Sequence, residues 1–162
     1  MSEKPEAGYR PCVGVMVLNQ GGMVFVGRRA GYDNDPHAWQ MPQGGVDEGE
    51  ELQAAALREL LEETGISSVE LLGQSQKWIS YDLPESVAKG WKRQYKGQAQ
   101  KWFVYLFQGC ESEINLKYSK HVEFSDWRWV AIEEIINMVV PFKRAVYESV
   151  VSEFSHLAIP RG

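Results

Sequence analysis

The stretch from Gly44 to Ile66, GGVDEGEELQAAALRELLEETGI, constrains this chain more than any other. Within it Glu59, Glu62 and Glu63 stand at i, i+3 and i+4, a spacing that gathers three carboxylates on one face of an α-helix. Carboxylates held that close repel one another, and keeping them together is costly unless a hard cation lies between them. A magnesium site is the simplest reading, and magnesium held by carboxylates usually works on phosphates. The bland alternative is a solvated acidic face, which most charge runs are. Leu57, Leu60 and Leu61 fall opposite the glutamates and predict the apolar packing face. Asp47, Glu48, Glu50 and Glu51 are expected in the first turn, where negative charge suits the helix dipole. Gly65 is expected to close the helix in the left-handed conformation.

A fixed pattern runs through the same stretch: glycine, five residues, glutamate, seven residues, then Arg-Glu-aliphatic-x-Glu-Glu-x-Gly-aliphatic. Gly44, Glu50, Arg58, Glu59, Leu60, Glu62, Glu63, Gly65 and Ile66 match it in full. This resembles the Nudix box, which covers 23 of the 162 residues and specifies chemistry rather than substrate. The resemblance implies a metal-dependent hydrolase that cleaves a pyrophosphate bond in a nucleoside diphosphate linked to another group. It implies Mg2+ as cofactor, with Mn2+ able to substitute. Glu59, Glu62 and Glu63 would be the ligands, the Gly44 carbonyl a further one, and Arg58 would hold the helix by pairing with carboxylates.

The remaining sequence bounds this reading. A length of 162 residues suits one domain, 1–162 with a core of about 8–157, and allows a sizeable buried core. No apolar run approaches the ~20 residues of a membrane span, and MSEKPEAGYR does not read as a signal peptide. Two cysteines, Cys12 and Cys110, make neither a disulfide framework nor a zinc site. Both sit near apolar strand residues and are expected to be buried, so a cytoplasmic location and no membrane partner are expected. A net charge of −5 argues against wrapping a long nucleic acid, DNA included. Basic residues are nevertheless grouped, at Arg10, Arg28 and Arg29 and again at Lys89, Lys92, Arg93, Lys96 and Lys101, where no acidic residue occurs from Ser86 to Cys110. Such polarisation suits a compact polyanion, or else simply a solvated loop.

Strands are predicted at 12–19, 23–29, 69–81, 100–108 and 124–130, with a turn at 20–22, a polar loop at 30–37 and an irregular segment at 84–98. A short helix is predicted over 132–139. A final one opens at Pro141 and carries Phe142, Val146, Val150, Phe154 and Leu157 at helical spacing. Strands interspersed with about three helices imply an α/β class, in agreement with the α/β/α sandwich and mixed central sheet that the resemblance implies.

Outside the box, Gly8-Tyr9-Arg10-Pro11, Trp39 to Gly45, Gln100-Lys101-Trp102-Phe103, Glu123-Phe124, Trp127-Arg128-Trp129 and Pro141-Phe142-Lys143-Arg144 resemble one branch of the family. That branch holds bacterial RNA pyrophosphohydrolases and asymmetric diadenosine tetraphosphate hydrolases. The substrate implied is an RNA 5′ end or another nucleotide polyphosphate, taken by a monomer. By resemblance Glu123 is a further metal ligand or the base that activates water; the alternative is a plain edge-strand glutamate. Phe142 and Lys143 could pinch a nucleobase, although Phe142 could equally be the first core residue of its helix. Arg10, Arg29 and Lys101 suit phosphate or base contacts, and Tyr81 resembles the aromatic that stacks on a substrate base. Ala99 departs from the branch, which often has a basic residue there. The general base is Glu63 or Glu123. A non-catalytic nucleotide reader with this fold would be expected to have lost one or more of the three glutamates, and all are present.

Overall fold

The structure is a computed structural model that describes residues 4–88 and 95–161. Lys89, Lys92 and Arg93 of the central basic stretch lie outside the described residues. Eight strands among the described residues form one mixed sheet: β1 (Tyr9–Leu18), β2 (Val24–Arg29), β3 (Trp39–Gln40), β4 (Gln43–Gly45), β5 (Val69–Gln74), β6 (Ile79–Asp82), β7 (Gly97–Phe107) and β8 (Phe124–Val130). The helices are α1 (Leu52–Thr64), the short α2 (Glu85–Ala88), α3 (Ile135–Met138) and α4 (Arg144–Phe154). The order β3-β2-β1-β7-β5 forms the main path, with β4 on β1, β6 on β7 and β8 on β2. β1 and β7 run parallel in unbroken register from Tyr9↔Gly97 to Leu18↔Leu106, and the other pairs are antiparallel.

Alternation along the central strands separates two cores. Val13, Val15 and Val17 of β1, with Phe103, Tyr105 and Phe107 of β7, pack with Ala55, Ala56 and Leu60 of α1. Met16 and Leu18, with Trp102 and Val104, face the other way, onto Ile135 and onto Val146, Tyr147, Val150 and Phe154 of α4. This is the expected α/β/α sandwich. No helix among the described residues is long and apolar enough to cross a membrane.

Several expectations are corrected. The predicted strand 69–81 is two strands, because the Ser75 N–H and Oγ bond to the backbone of Trp102 and turn the chain out of register. The last helix opens as a 3-10 turn at Pro141–Lys143, and only then becomes α4. Asp47, Glu48 and Glu50 form a turn before α1 rather than its first turn, which holds no acidic residue. Leu57 is exposed, and small Ala55 and Ala56 fill the packing face with Leu60. Cys110 is exposed and only Cys12 is buried.

Two close approaches place the site. Gly65 closes α1 at φ 76° with its N–H on the Leu61 carbonyl. Gly27 lies flat under the ring of Phe124, where a Cβ would collide. Phe124 follows Glu123, whose carbonyl accepts the Ala30 N–H at 2.9 Å, so this glutamate is pinned at the end of β2. Gly27→Ala should therefore overpack the Phe124 ring, at about 1–3 kcal/mol. Thermal melting should show a Tm loss of several degrees, at roughly 2–4 °C per kcal/mol for a chain of this size. An unchanged Tm would show that Phe124 does not anchor this corner.

Candidate active site

Arg58 organises the acidic helix. Its guanidinium donates to Glu50 through Nε (2.8 Å) and Nη2 (2.9 Å), and to the Gly45 carbonyl through Nη2 (2.9 Å). It also pairs with Glu59 at 3.3 Å, Glu62 at 3.4 Å and Asp47 at 3.7 Å. The Arg58 hydrogen bonds hold the Glu50 carboxyl down to about 2. One cation thus ties α1 to the β4 backbone and to the preceding turn. On the same contact, Glu59 lies so close to Gly44 that any Cβ there would collide with its carboxylate.

Two glutamates turn inward rather than to solvent. Glu63 is 8% exposed and accepts the Gln43 N–H at 3.3 Å. Burial pushes its carboxyl well above the ordinary range, reinforced by the charges of Glu123 and Glu59 and opposed by the Gln43 bond. Burial likewise pushes Glu59 up to about 7, with Arg58 pulling the other way and Glu62 and Glu123 adding to the rise. Glu123, far away in sequence, therefore faces the α1 carboxylates. It also stands 3.5 Å from the His121 ring.

This donor set fits a hard divalent cation: all oxygen, partly desolvated, and mutually repelling in a way that a cation would relieve. Among the described residues, no three Asp, Glu, His or Cys side chains stand close enough to enclose an ion as they are. Glu59 and Glu62 are instead turned to Arg58. Binding an ion would draw them partly off that arginine.

Near the carboxylates two aromatic rings meet: Tyr81 belongs to the core under α4, and Phe142 packs against that core. The rings of Tyr81 and Phe142 stand 6.0 Å apart, tilted by 36°. Lys143 is 7% exposed; its ammonium lies 5.9 Å from the Tyr81 ring and donates to Gln43 Oε1 at 3.1 Å. Burial lowers Lys143 to about 8, with nearby Arg29 acting in the same sense and Glu123 and Glu63 opposing. Arg29 also stacks on the Tyr32 ring at 4.0 Å. Arg10 lies against Gly45 and pairs in register with Gln98. The structure thus brings together Gly44, Glu59, Glu62, Glu63, Glu123, Arg10, Arg29, Tyr81, Phe142 and Lys143.

Lys101 is the exception. It points to the α1 side beside Leu52, Gln53 and Phe103, and its ammonium donates to the Gln76 carbonyl at 2.9 Å. Gln40, Gln43, Gln98 and Gln100, given no role by sequence, form an amide network with Tyr81, Trp102 and Lys143. For Gln98 and Gln100 the signal was a polar i, i+2 pair in a strand otherwise apolar on that face; Gln40 and Gln43, in β3 and β4, carried none.

Residues 8–150 match the NUDIX domain. The RNA pyrophosphohydrolase of Rhodopseudomonas palustris is 50% identical over 165 aligned residues, spanning 98% of this chain and 98% of that protein. Its counterpart in Bradyrhizobium diazoefficiens is 51% identical and spans 98% and 99%. A C. elegans Ap4A hydrolase, solved as a binary complex, superposes with a TM-score of 0.64 at 17% identity, over 91% of this chain and 98% of that one. Its likeness is one of fold. Sheet, acidic helix and glycine strand define an α/β/α hydrolase scaffold. The chain belongs to the Nudix family and is a hydrolase acting on pyrophosphate bonds.

The raised carboxyls generate a test of ion binding. With Glu59 near 7 and Glu63 also raised, the folded state holds these protons more tightly than the unfolded chain does. Their contribution to stability is full below the ordinary carboxyl range and is lost as pH rises through about 7. Without divalent ions, this contribution should lower Tm between about pH 5 and pH 8. Mg2+ should restore Tm at the higher pH and do little at the lower. An equal Mg2+ effect at both, or none at either, would contradict the assignment.

Proposed function

We propose that this enzyme removes pyrophosphate from triphosphorylated RNA 5′ ends, leaving a 5′-monophosphate. The observation that carries the reading is a buried lysine, Lys143, set between the inward-facing Glu63 and Glu123 and the Tyr81–Phe142 ring pair, and about 50% identity to RNA pyrophosphohydrolases over nearly the full length supports it. A second reading, hydrolysis of dinucleoside polyphosphates, is favoured by the same observation. Phe142 and Lys143, with Tyr81 behind them, would take a terminal base whether or not RNA follows it.

Glu59, Glu62, Glu63 and Glu123, with the Gly44 carbonyl, would hold Mg2+ or Mn2+. The cation would neutralise polyphosphate charge and lower the pKa of bound water. Glu63 or Glu123, whichever the ion leaves free, would take the proton from the attacking water. The water oxygen bonds to phosphorus as the P–O–P bridge breaks, and the electron pair leaves on the departing phosphate. Phe142 and Lys143 would hold the base, with Tyr81 behind them, and Arg10 and Arg29 would meet phosphate oxygens. Lys101, bonded to the Gln76 carbonyl beside Leu52 and Gln53, is left out of this set. Two unpaired thiols, the exposed Cys110 among them, suit a reducing cytoplasm. Net acidity suits a monomer gripping a terminus, not DNA.

A side-by-side assay tests the reading: pyrophosphate release from 5′-triphosphorylated RNA against cleavage of diadenosine tetraphosphate. Turnover of RNA ends at the greater kcat/KM is the expected result. Activity on the dinucleotide alone would leave the second reading, and activity on neither would refute both. Glu63→Gln should keep the fold and lower kcat by at least ~10²-fold if the ion supplies several kcal/mol. Near-wild-type turnover at saturating Mg2+ would remove Glu63 from the site. Phe142→Ala should lower kcat/KM by roughly 5- to 150-fold, from ~1–3 kcal/mol of stacking. A lower Tm with unchanged kinetics would instead make Phe142 a core residue.

A further inference from the structure

A single buried amide stands between Lys143 and Tyr81. Gln100, on β7, is 1% exposed and lies among Trp102, Gln98 and Gln43. Amide orientation is often ambiguous, but here donor-only groups fix it. The Trp102 indole Nε1–H can only donate, and it reaches Gln100 Oε1 at 3.0 Å. The Gln100 amide nitrogen must then point the other way. It donates to Gln43 Oε1 at 3.1 Å and to Gln98 Oε1 at 3.2 Å. At the far ends the same two carbonyls accept again: Gln43 Oε1 from the Lys143 ammonium at 3.1 Å, and Gln98 Oε1 from the Tyr81 hydroxyl at 2.8 Å. Lys143 is again donor-only, so both ends of the chain agree in direction.

We propose that Gln100 is a positioning residue for substrate binding, holding Lys143 through Gln43 and Tyr81 through Gln98. The inference rests on the proposed nucleotide site. Its physical basis is that each carbonyl, with two lone pairs, is shared between one donor from Gln100 and one from Lys143 or Tyr81. Remove the Gln100 donor and each carbonyl side chain is free to rotate. Lys143 then depends on a Gln43 carbonyl that Gln100 no longer holds, and on the longer bond to Gln40 Oε1 at 3.5 Å. Tyr81 keeps its contact with the Phe142 ring, but its hydroxyl partner is no longer held. The Glu63 bond is a different matter, because it comes from the Gln43 backbone N–H. The relay therefore acts on substrate binding and leaves the carboxylates in place.

Two variants test this. Gln100→Leu removes both donors with a similar side-chain volume. Gln100→Glu keeps an acceptor for the Trp102 indole and the shape of the side chain, and as a buried acid it carries a single proton, so it can donate to only one of the two carbonyls. Each variant is melted to confirm folding, then assayed on 5′-triphosphorylated RNA and diadenosine tetraphosphate. The expected result is a KM raised about tenfold with kcat at saturation nearly unchanged, the size of a lost hydrogen bond to a charged group. Combining either variant with Lys143→Met should raise KM much less than the product of the two single effects, because Gln100 acts partly through Lys143. Unchanged KM in a folded Gln100→Glu enzyme, a fall in kcat alone, or full multiplicativity with Lys143→Met would overturn the proposal. A wild-type enzyme inactive on both substrates would overturn the proposed function, and the nucleotide site with it.

Discussion

One guanidinium holds the acidic helix to the sheet. Arg58 reaches the Gly45 carbonyl, both oxygens of Glu50, and the carboxylates of Glu59 and Glu62. Ala55, Ala56 and Leu60 bury one face of α1 on the sheet, and Arg58 fixes the acidic face against β4. A half-exposed ion pair contributes little by itself. This one is bidentate, part of a network, and bonded to backbone, and those features make such pairs effective. It brings Glu59 onto the bare backbone of Gly44. One helical turn on, Glu63 is left facing inward against Gln43.

The rest of the site is built around that inward face. β1 and β7 run side by side for ten residue pairs and separate two cores, α1 packing on one face and Trp102, Tyr81 and α4 on the other, and Glu63 and Lys143 approach each other at Gln43 from the two sides. Glu123 arrives from the opposite edge, fixed by Ala30 and by the Phe124 ring over Gly27. The mutual repulsion of Glu59, Glu63 and Glu123 is the cost of this arrangement, and it is the property that a cation would reverse.

Much of this was legible in the chain. The i, i+3, i+4 glutamates and the fixed spacing from Gly44 to Ile66 carry the chemistry, because helix geometry turns sequence distance directly into spatial distance. The apolar runs at 12–19 and 100–108 likewise marked β1 and β7 as strands. What escaped were features set by tertiary contact. Leu57 looked like core and is exposed, while Ala55, Ala56 and Leu60 are buried, since the tertiary packing of α1 turns their face and not that of Leu57 onto the sheet. Asp47 and Glu50 looked like a first helical turn but serve Arg58 from a turn of their own. Lys101 looked like part of the site, yet strand parity sends it away from Gln100. The glutamines went unassigned because an amide is informative only once its partners are known.

The most direct test of the central claim is to locate the ion. Crystals soaked in Mn2+ and measured at the manganese absorption edge should give anomalous peaks bounded by Glu59, Glu63, Glu123 and the Gly44 carbonyl. Glu59 and Glu62 should have moved away from Arg58 toward the metal. Peaks elsewhere, with those four groups unchanged and Arg58 still paired to Glu59, would contradict the account.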